Sequence, residues 1–489
     1  MKKRIYIVLC LSAMLIMSGC GKFGDINDNP NLPQNPDTRF LYIGAVRQAL
    51  PTFYINDLWD AWTLFFPQYV SEKNNIQFTN FGVLVFNTSN YYTCAIRNLE
   101  LIMTLNADQQ QKNQPYVIAM GDGDNQIAVA RTLRAYIYMH LTDALGMLPY
   151  SKANQGDMGN FQPVYDSQEY IYADLNKELE ESWEMFDESK PLDSDYEILY
   201  NGDIAKWKKF NASVRMQMAI KLFKVAPETG KKNFAKAYNQ GFIRDNADIL
   251  SYKYLNEESN QNPMYSNIVI EGRRDYWPSS TIVEMMKSYN DPRLKAYFTQ
   301  AKTGGYAGIT FGLFREQSAD IDANTISYWN ENFYRQDAPA VLITPSVMLL
   351  AAAEAAERGW IDASAKELYS EAITASLEQH NVGSEAKDYL STAKVLYNEK
   401  GTQAYRLEQI GMQKWFASFF QDGFEAWADY RRLGVPALKV GSSAAVTQIP
   451  RRRIYDVEDY ETNRDNYEFA IKEQGPDLPT TRVWWDVQP

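Results

Sequence analysis

The stretch ITPSVMLLAAAEAAERGWIDASAKELYSEAITASLEQ, Ile343 to Gln379, carries the reading that decides the fold. Thr344 stands where a helix N-cap belongs, Pro345 fits the first helical position, and Gly359 fits the residue just past the end. Between them MLLAAAEAAER supplies strong helix formers, and its alanines let a second helix come close. That second helix follows at once, from about Ala363 to Gln379, with Ala365, Leu368, Ala372 and Ser376 on one face. Two antiparallel helices with a short turn and small residues between them are the unit of a tetratricopeptide-type array.

Comparable helices lie on both sides. In AVARTLRAYIYMHL, Leu133, Ile137, Leu141 and Leu145 recur every four residues and predict one apolar helix face, on which His140 reads as a core histidine. Asp203 can cap a helix whose apolar positions are Ile204, Trp207, Phe210, Val214, Met218 and Leu222, and which Pro227 is expected to stop. GTQAYRLEQIGMQKWFASFF keeps Leu407, Ile410, Lys414/Trp415 and Ser418/Phe419 in step. No strict 34-residue repeat is visible, so the expectation is a mainly α fold: an irregular tetratricopeptide-like helical scaffold, an α-α superhelix, over about 41–230 and 340–438.

The chain changes character at about 250–339. NQNPMY, RRDYWPSS, YNDPRL, GGYAG and SYWNENFY place Gly, Pro and Asn beside aromatic residues with little helical period. The tail from 439 to 489 is similar. These segments predict a large loop-rich ligand-binding face, since loops carry function when a rigid scaffold places them. The whole of 41–489 is expected to form one domain.

The N-terminus has the layout of a signal peptide over 1–19: Lys2, Lys3 and Arg4, then an apolar run from Ile5 to Met17, then Ser18 and Gly19. The run is shorter than the roughly 20 residues a membrane span needs. Ser18-Gly19-Cys20 resembles a bacterial lipobox, which makes Cys20 the candidate lipidation site and the first mature residue. Residues 20–40, rich in Gly, Asn, Asp and Pro, read as lipidated N-terminus and tether. With Cys10 inside the signal and Cys20 acylated, Cys94 is the one thiol left, and no internal disulfide is expected.

Composition narrows the function further. The 49 basic residues against 61 acidic ones leave a net charge of −12, which argues against nucleic acid as a partner. The chain has 33 Tyr and 11 Trp but only two histidines, His140 and His380, so it looks built to stack against something rather than to shuttle protons. GDGDNQ from Gly121 resembles the start of a calcium loop, but Ile127 and Leu133 stand where its sixth-position Gly and twelfth-position Glu belong. Helix capping is the better account there. The carboxylate pairs Glu257/Glu258 and Glu425/Asp429 cannot be assigned as hydrolytic from sequence, and Arg431-Arg432 and Arg451 to Arg453 read as ion-pair partners of nearby acids.

The lipobox, DINDNPNLP, ARTLRAYIYMHLTDALGMLPYS, GDIAKWKKFNASVRMQMAIKL, NDPRL, ITPSVMLLAAAEAAERGW and QKWFASFFQDGFEAWADYRRLGVPAL, in this order, resemble the SusD/RagB family of Bacteroidetes outer-membrane lipoproteins, and more closely its SusD-like subgroup. Val347 departs from the acidic residue that often follows ITPS in relatives. The resemblance implies a surface-exposed lipoprotein, without catalysis, cofactor or metal, that caps a SusC-type TonB-dependent transporter and captures oligosaccharides, or peptides in the RagB branch. It supplies no fixed ligand motif.

Sugar recognition needs flat apolar faces plus amides and carboxylates for the hydroxyls. In the loop-rich face the candidates are Tyr265, Tyr276, Trp277, Trp329 and Tyr334, with Asn262, Arg273, Asp275 and Asn330 as polar neighbours. For any single one, core packing or loop anchoring is the commoner role than ligand contact; their clustering in segments without a helical face is what points to ligand. Asn74, Asn75, Tyr91 and Tyr92 form a second candidate patch, in which the tyrosines are expected to pack the scaffold. Two other classes stay open: a surface glycoside hydrolase, and a scaffold that binds only proteins.

Overall fold

The computed structural model describes residues 35–55, 62–421 and 423–487. The proposed signal and the Cys20 lipidation site lie outside them. Helix α1 (Thr38–Ile55) begins the unit Thr38–Pro489, three residues before the expected start of the folded body. After it come α2 (Arg97–Ala107), α3 (Gly123–Leu145), α4 (Gln168–Met185), α5 (Ile204–Lys221) and α6 (Pro227–Gln240). The second half holds α7 (Ser280–Tyr289), α8 (Pro345–Glu357), α9 (Ala365–Gln379), α10 (Gln403–Ala417), α11 (Gly423–Leu433) and α12 (Arg464–Gln474). Shorter helical turns carry no label here.

Consecutive helices pack as hairpins: α3 with α4, α5 with α6, and α8 with α9. Helix α8 also meets α5, α6 and α10, so the array runs on across the long excursion between α6 and α8. The α8–α9 pair is the tightest, as its alanines predict: Ala351, Ala352, Ala353, Ala355 and, across from them, Ala372 are all buried. The fold is thus mainly α. Among the described residues the sheet structure is three short antiparallel pairs. They join β1 (Val70–Glu72) to β5 (Tyr276–Pro278), β2 (Leu148–Pro149) to β3 (Tyr165–Asp166), and β4 (Leu250–Tyr252) to β6 (Ala340–Ile343).

Local chemistry sets the helix ends. Asp122 accepts from the backbone N–H groups of Asp124 and Asn125, both at 3.2 Å, so GDGDNQ is a cap as expected. Asp203 caps α5 through Lys206 N, Ser364 caps α9 through Glu367 N, and Thr402 caps α10 through Tyr405 N. Gly359 follows α8 with φ +68°, a conformation open to glycine. Two expectations differ. Thr344 precedes α8, but its hydroxyl bonds Gln421 and Ser346 instead of capping. Pro227 does not stop α5, which has already ended at Lys221; it opens α6, where a missing N–H costs nothing.

Helix α3 is not half-solvated as a single apolar face would suggest. It is enclosed by α2, α4, α5 and α11, and Tyr136, Tyr138, Met139 and His140 are buried with the predicted leucines. His140 is a core residue, its ring stacked 4.4 Å from Phe53 and its Nδ1 2.9 Å from Tyr136 O. The aromatic wealth is spent largely inside. Trp62, Trp207, Trp329, Trp427 and Trp485 are fully buried, and Trp62 packs edge-on against Phe424 at 4.5 Å.

Charge is buried too, and paired. Lys221 Nζ lies 2.6 Å from Asp143 Oδ2 and also meets Glu425. Glu354 of α8 bonds Arg432 of α11 and Arg358, and Asp429 lies 2.6 Å from Lys414 and 2.7 Å from Arg432. Glu425 and Asp429 are therefore structural carboxylates under cations. Arg451 pairs with Asp486 and Arg452 with Asp477, both within the tail, while Arg431 of α11 donates to Arg451 O at 3.0 Å and joins the tail to the body.

Burial alone would raise the Glu354 and Asp429 carboxyls, but the guanidinium of Arg432, with Arg358 on the first and Lys414 on the second, outweighs it and holds both below their ordinary values of 4.5 and 3.8. A depressed carboxyl stabilises fully above its ordinary value and loses that contribution as pH falls through the folded one. Glu354→Gln strands two guanidinium groups in the core and is expected to cost about 3–5 kcal/mol at pH 7. Urea unfolding at pH 7 and again near pH 3 should show the gap to the unmodified protein closing on the acid side; an unchanged gap would show that Glu354 is not held ionised by Arg432.

Candidate functional site

The excursion between α6 and α8 is tied to the N-terminal half by the β1–β5 pair, in which Ser71 opposes Trp277 and Glu72 opposes Tyr276. Lys73 N donates to Asp275 O at 3.1 Å and extends the pairing by one residue. Strand geometry then decides which side chain faces where, because neighbours on a strand point to opposite sides. Tyr276 turns inward and packs edge-on against Phe65 and Phe78, at 5.2 and 6.2 Å. Trp277 turns the other way. Its Nε1 donates to Arg274 O at 2.8 Å, and its ring meets Tyr328 at 5.0 Å and 74°.

Around Trp277 the surface is a short aromatic and cationic ridge. Tyr328 is half-buried between Trp277 and Tyr334, whose ring lies 6.2 Å away. The exposed Arg274 lays its guanidinium 4.9 Å from the Tyr328 ring centre, a cation–π contact. Burial pushes the hydroxyls of Tyr328 and Tyr334 above their ordinary value, so both stay protonated donors at neutral pH. Beside them Arg273 forms a fork on Asp275, with bonds of 2.8 and 3.0 Å from Nη2 and Nε. The pairing also brings Asn74 and Asn75, both exposed, to the same strand end. The loop that carries them is pinned by buried Glu72, which accepts from Phe78 N, Thr79 N and the Thr79 hydroxyl at 2.9–3.0 Å.

The candidates separate by position. Arg273, Asp275 and Tyr334 come together on the ridge. Tyr265 is half-buried on its own turn, and Asn330 uses its side chain to cap Asn332 N at 3.1 Å. Asn262, Tyr276, Trp277 and Trp329 are corrected to the interior, Trp277 being 4% exposed and a support for the Tyr328 ring. Asn262 is fully buried, accepting from Met264 N and donating to Ala338 O, each at 2.8 Å. Trp329 has no exposed surface and lies among Phe298, Phe419 and Phe420. Tyr91 and Tyr92 pack the scaffold as expected: Tyr91 stacks on Phe53, and Tyr92 donates to Pro149 O at 2.7 Å. Sequence reasoning missed Arg274 and Tyr328. Each sits beside a chosen residue, in RRDYW and SYWNENFY, and only the strand partner reveals which neighbour faces out.

Among the described residues no group of His, Cys, Asp and Glu is placed to hold a metal ion, and no helix is long and apolar enough to cross a membrane. Cys94 is a free, half-buried thiol.

This arrangement of helical hairpins with an aromatic loop face is one that known proteins share. Residues 50–456 match the family model SusD-like_2, described as starch-binding and associating with the outer membrane. The chain belongs to the SusD-like family, whose members are associated with the outer membrane. Similar solved structures include a chitin-binding protein at 26% identity, covering 93% of this chain and 100% of that one with a TM-score of 0.77. A SusD homolog from Bacteroides uniformis is 23% identical, covering 92% and 99% at a TM-score of 0.79. A chitin-binding SusD homolog from Flavobacterium johnsoniae is 22% identical, covering 92% and 99% at 0.77. No curated protein matches at a significant level.

Two residues adjacent in the chain, Tyr328 on the ridge and Trp329 in the core, should differ sharply in what they cost to remove. Trp329→Ala empties a core position and is expected to destabilise by about 3–5 kcal/mol, whereas Tyr328→Ala, half-exposed, should cost about half that or less. Chemical denaturation of the two variants checks this, and equal losses would mean that Tyr328 is a core residue.

Proposed function

We propose that the protein captures oligosaccharides at the ridge of Arg274, Tyr328 and Tyr334, which buried Trp277 supports, and delivers them to a SusC-type TonB-dependent transporter. The observation that carries this reading is the half-buried Tyr328, wedged by Trp277 and flanked by Arg274, at a strand end with the exposed amides of Asn74 and Asn75, the latter accepting from Ile76 N through its Oδ1. A ring held this way offers a flat face to the C–H face of a sugar at little entropic cost. Asn74 and Asn75 supply donors and acceptors for its hydroxyls, and Asp275, fixed by Arg273, adds an oriented acceptor. The family's starch-binding description and the chitin-binding relative support a glycan over other ligands.

The reading is capture without turnover, which the family's description as starch-binding supports. Stacking worth about 0.5–1.5 kcal/mol per ring pair gives weak single contacts, which a polymer bound at repeated units would strengthen. Lipid on Cys20 would hold the protein at the membrane, facing the exterior, since each buried methylene adds about 0.8 kcal/mol. The 20–37 segment would then act as the tether that lets the body move over a transporter mouth.

Calorimetric titration of the soluble form starting at Gly21 against maltooligosaccharides, chitooligosaccharides and mixed peptides tests the reading, with recovered ligand checked for cleavage. The expected result is binding of an intact glycan, weakened about tenfold in Arg274→Ala and in Tyr328→Ala. Cleaved glycan would make the protein a hydrolase, and binding of peptides alone would place it with the RagB branch.

A further inference from the structure

The C-terminal ends of α5, α8 and α11 converge on a cavity of about 410 Å³, and α10 and the tail complete its walls. That volume is within the roughly 300–1,000 Å³ of small-molecule sites. No residue of the ridge lines it. Its apolar surface comes from Phe223, Leu407, Leu433, Val435 and Leu438.

The charged lining is cationic. In a chain of net charge −12, Lys224, Arg358, Arg431, Arg432, Arg451 and Arg482 line this one cavity, and exposed Glu408 is the only carboxylate among the described lining residues. The acids behind the wall are too few to balance them. Arg358 and Arg432 share Glu354, Arg432 and Lys414 share Asp429, and Arg451 and Arg482 share Asp486. Lys224 and Arg431 form no ion pair among the described residues; Arg431 lies between the rings of Trp427 and Trp485, 3.6 and 4.5 Å from their centres. Cations complement the dipoles of helix C-termini, but each such end carries only about half a charge, and three of them do not absorb this surplus.

Three of these cations are solvent-accessible and keep N–H groups to spare. The Arg482 side chain is 29% exposed; its Nη1 donates to Asp486 Oδ1 at 2.7 Å, while its Nε and Nη2 meet no acceptor among the described residues. The Arg358 side chain is 15% exposed, held by Glu354 at 2.8 Å through Nε and Nη2 and laid 3.9 Å from the Phe223 ring centre, which leaves Nη1. Half-buried Lys224 makes one long contact, 3.4 Å to Val487 O. Burial, together with Arg432, Arg482 and Arg358, holds its ammonium below the ordinary lysine pKa against the opposing pull of Asp486. An anion placed among these groups relieves that repulsion. Two guanidinium groups and an ammonium around one cavity match an oxyanion with several charged oxygens, and arginine is the preferred partner of phosphate.

We propose that this cavity binds a phosphomonoester, whose oxygens accept from Lys224, Arg358 and Arg482 while the group that carries the phosphate lies against Leu407 and Leu433. A small soluble phosphomonoester and a phospholipid headgroup share this chemistry. The proposal stands on the cavity and does not require that the ridge bind glycan.

The test is calorimetric titration of the full chain in a zwitterionic detergent with sodium glycerol 3-phosphate and with dihexanoyl phosphatidic acid, against sodium acetate and dihexanoyl phosphatidylcholine as controls. Binding of the phosphomonoesters is expected, falling as salt is raised. It should weaken at least tenfold in Lys224→Glu and in Arg482→Glu, and strengthen severalfold in Glu408→Gln, which removes the exposed carboxylate of the lining. Tyr328→Ala should leave it unchanged, separating this site from the ridge. Tighter binding of the lipid than of glycerol 3-phosphate would assign the site to a headgroup, and equal binding to a soluble phosphomonoester. Absence of binding by both, equal affinity for the controls, or affinity unaltered in Lys224→Glu and Glu408→Gln variants that melt like the unmodified protein would overturn the proposal.

Discussion

One ammonium group holds the architecture together. Lys221, at the last residue of α5, is fully buried, and its charge is met by Asp143 from α3 and Glu425 from α11. Asp143 in turn accepts from the Tyr172 hydroxyl at 2.5 Å and from Trp485 Nε1 at 2.6 Å, which draws in α4 and the C-terminal tail. Burial would strip Lys221 of its proton, but the two carboxylates outweigh it and raise its pKa. Such a cluster adds little net energy over a packed apolar core, yet it is intolerant of any partner being absent. Its effect is therefore on register: four helices and the C-terminal tail share one set of hydrogen bonds, which only one mutual arrangement can satisfy.

That constraint explains what could and could not be read from the chain. The α8–α9 hairpin was legible because Thr344, Pro345 and Gly359 punctuate it and its apolar residues keep helical period. Asp122, Asp203 and Ser364 act through their nearest neighbours, so local sequence suffices for them. Pro227 misled because proline ends one helix and begins another with equal ease, and the choice depends on where α5 loses its packing. The site was legible only as a region. In RRDYW and SYWNENFY the sequence shows that aromatic rings lie near polar residues, but the face each ring presents is fixed by distant partners: the strand Val70–Glu72 for Tyr276 and Trp277, and a bridge to Phe298 for Trp329. Hence Tyr276 and Trp329 go inward, while Tyr328 and Arg274 go to the surface.

The turn at Glu331–Phe333 joins the ridge to the core. Phe333 packs inward with Phe419 and Phe420, and its neighbour Tyr334 reaches the ridge beside Tyr328. Asn330 fixes this turn by accepting from Asn332 N, and its own N–H donates to Tyr297 O at 2.9 Å. The aromatic interior below, with Tyr297 stacked 4.4 Å from Phe419, is continuous with the scaffold. The recognition surface is thus set on the same packed rings that stabilise the helical array, which limits how far its backbone can move when it is loaded.

The excursion between α6 and α8 leaves and re-enters a scaffold that is already closed beneath it, because α5 and α6 both touch α8 directly. Loop closure grows only with the logarithm of length, about 0.6 kcal/mol for each doubling. Lengthening, shortening or replacing this segment therefore taxes the helical array very little, provided the strand pairs at Val70–Glu72 and Ala340–Ile343 can re-form. In evolutionary terms the loop-rich face is a separable cassette: lineages can exchange it while inheriting the supporting array unchanged.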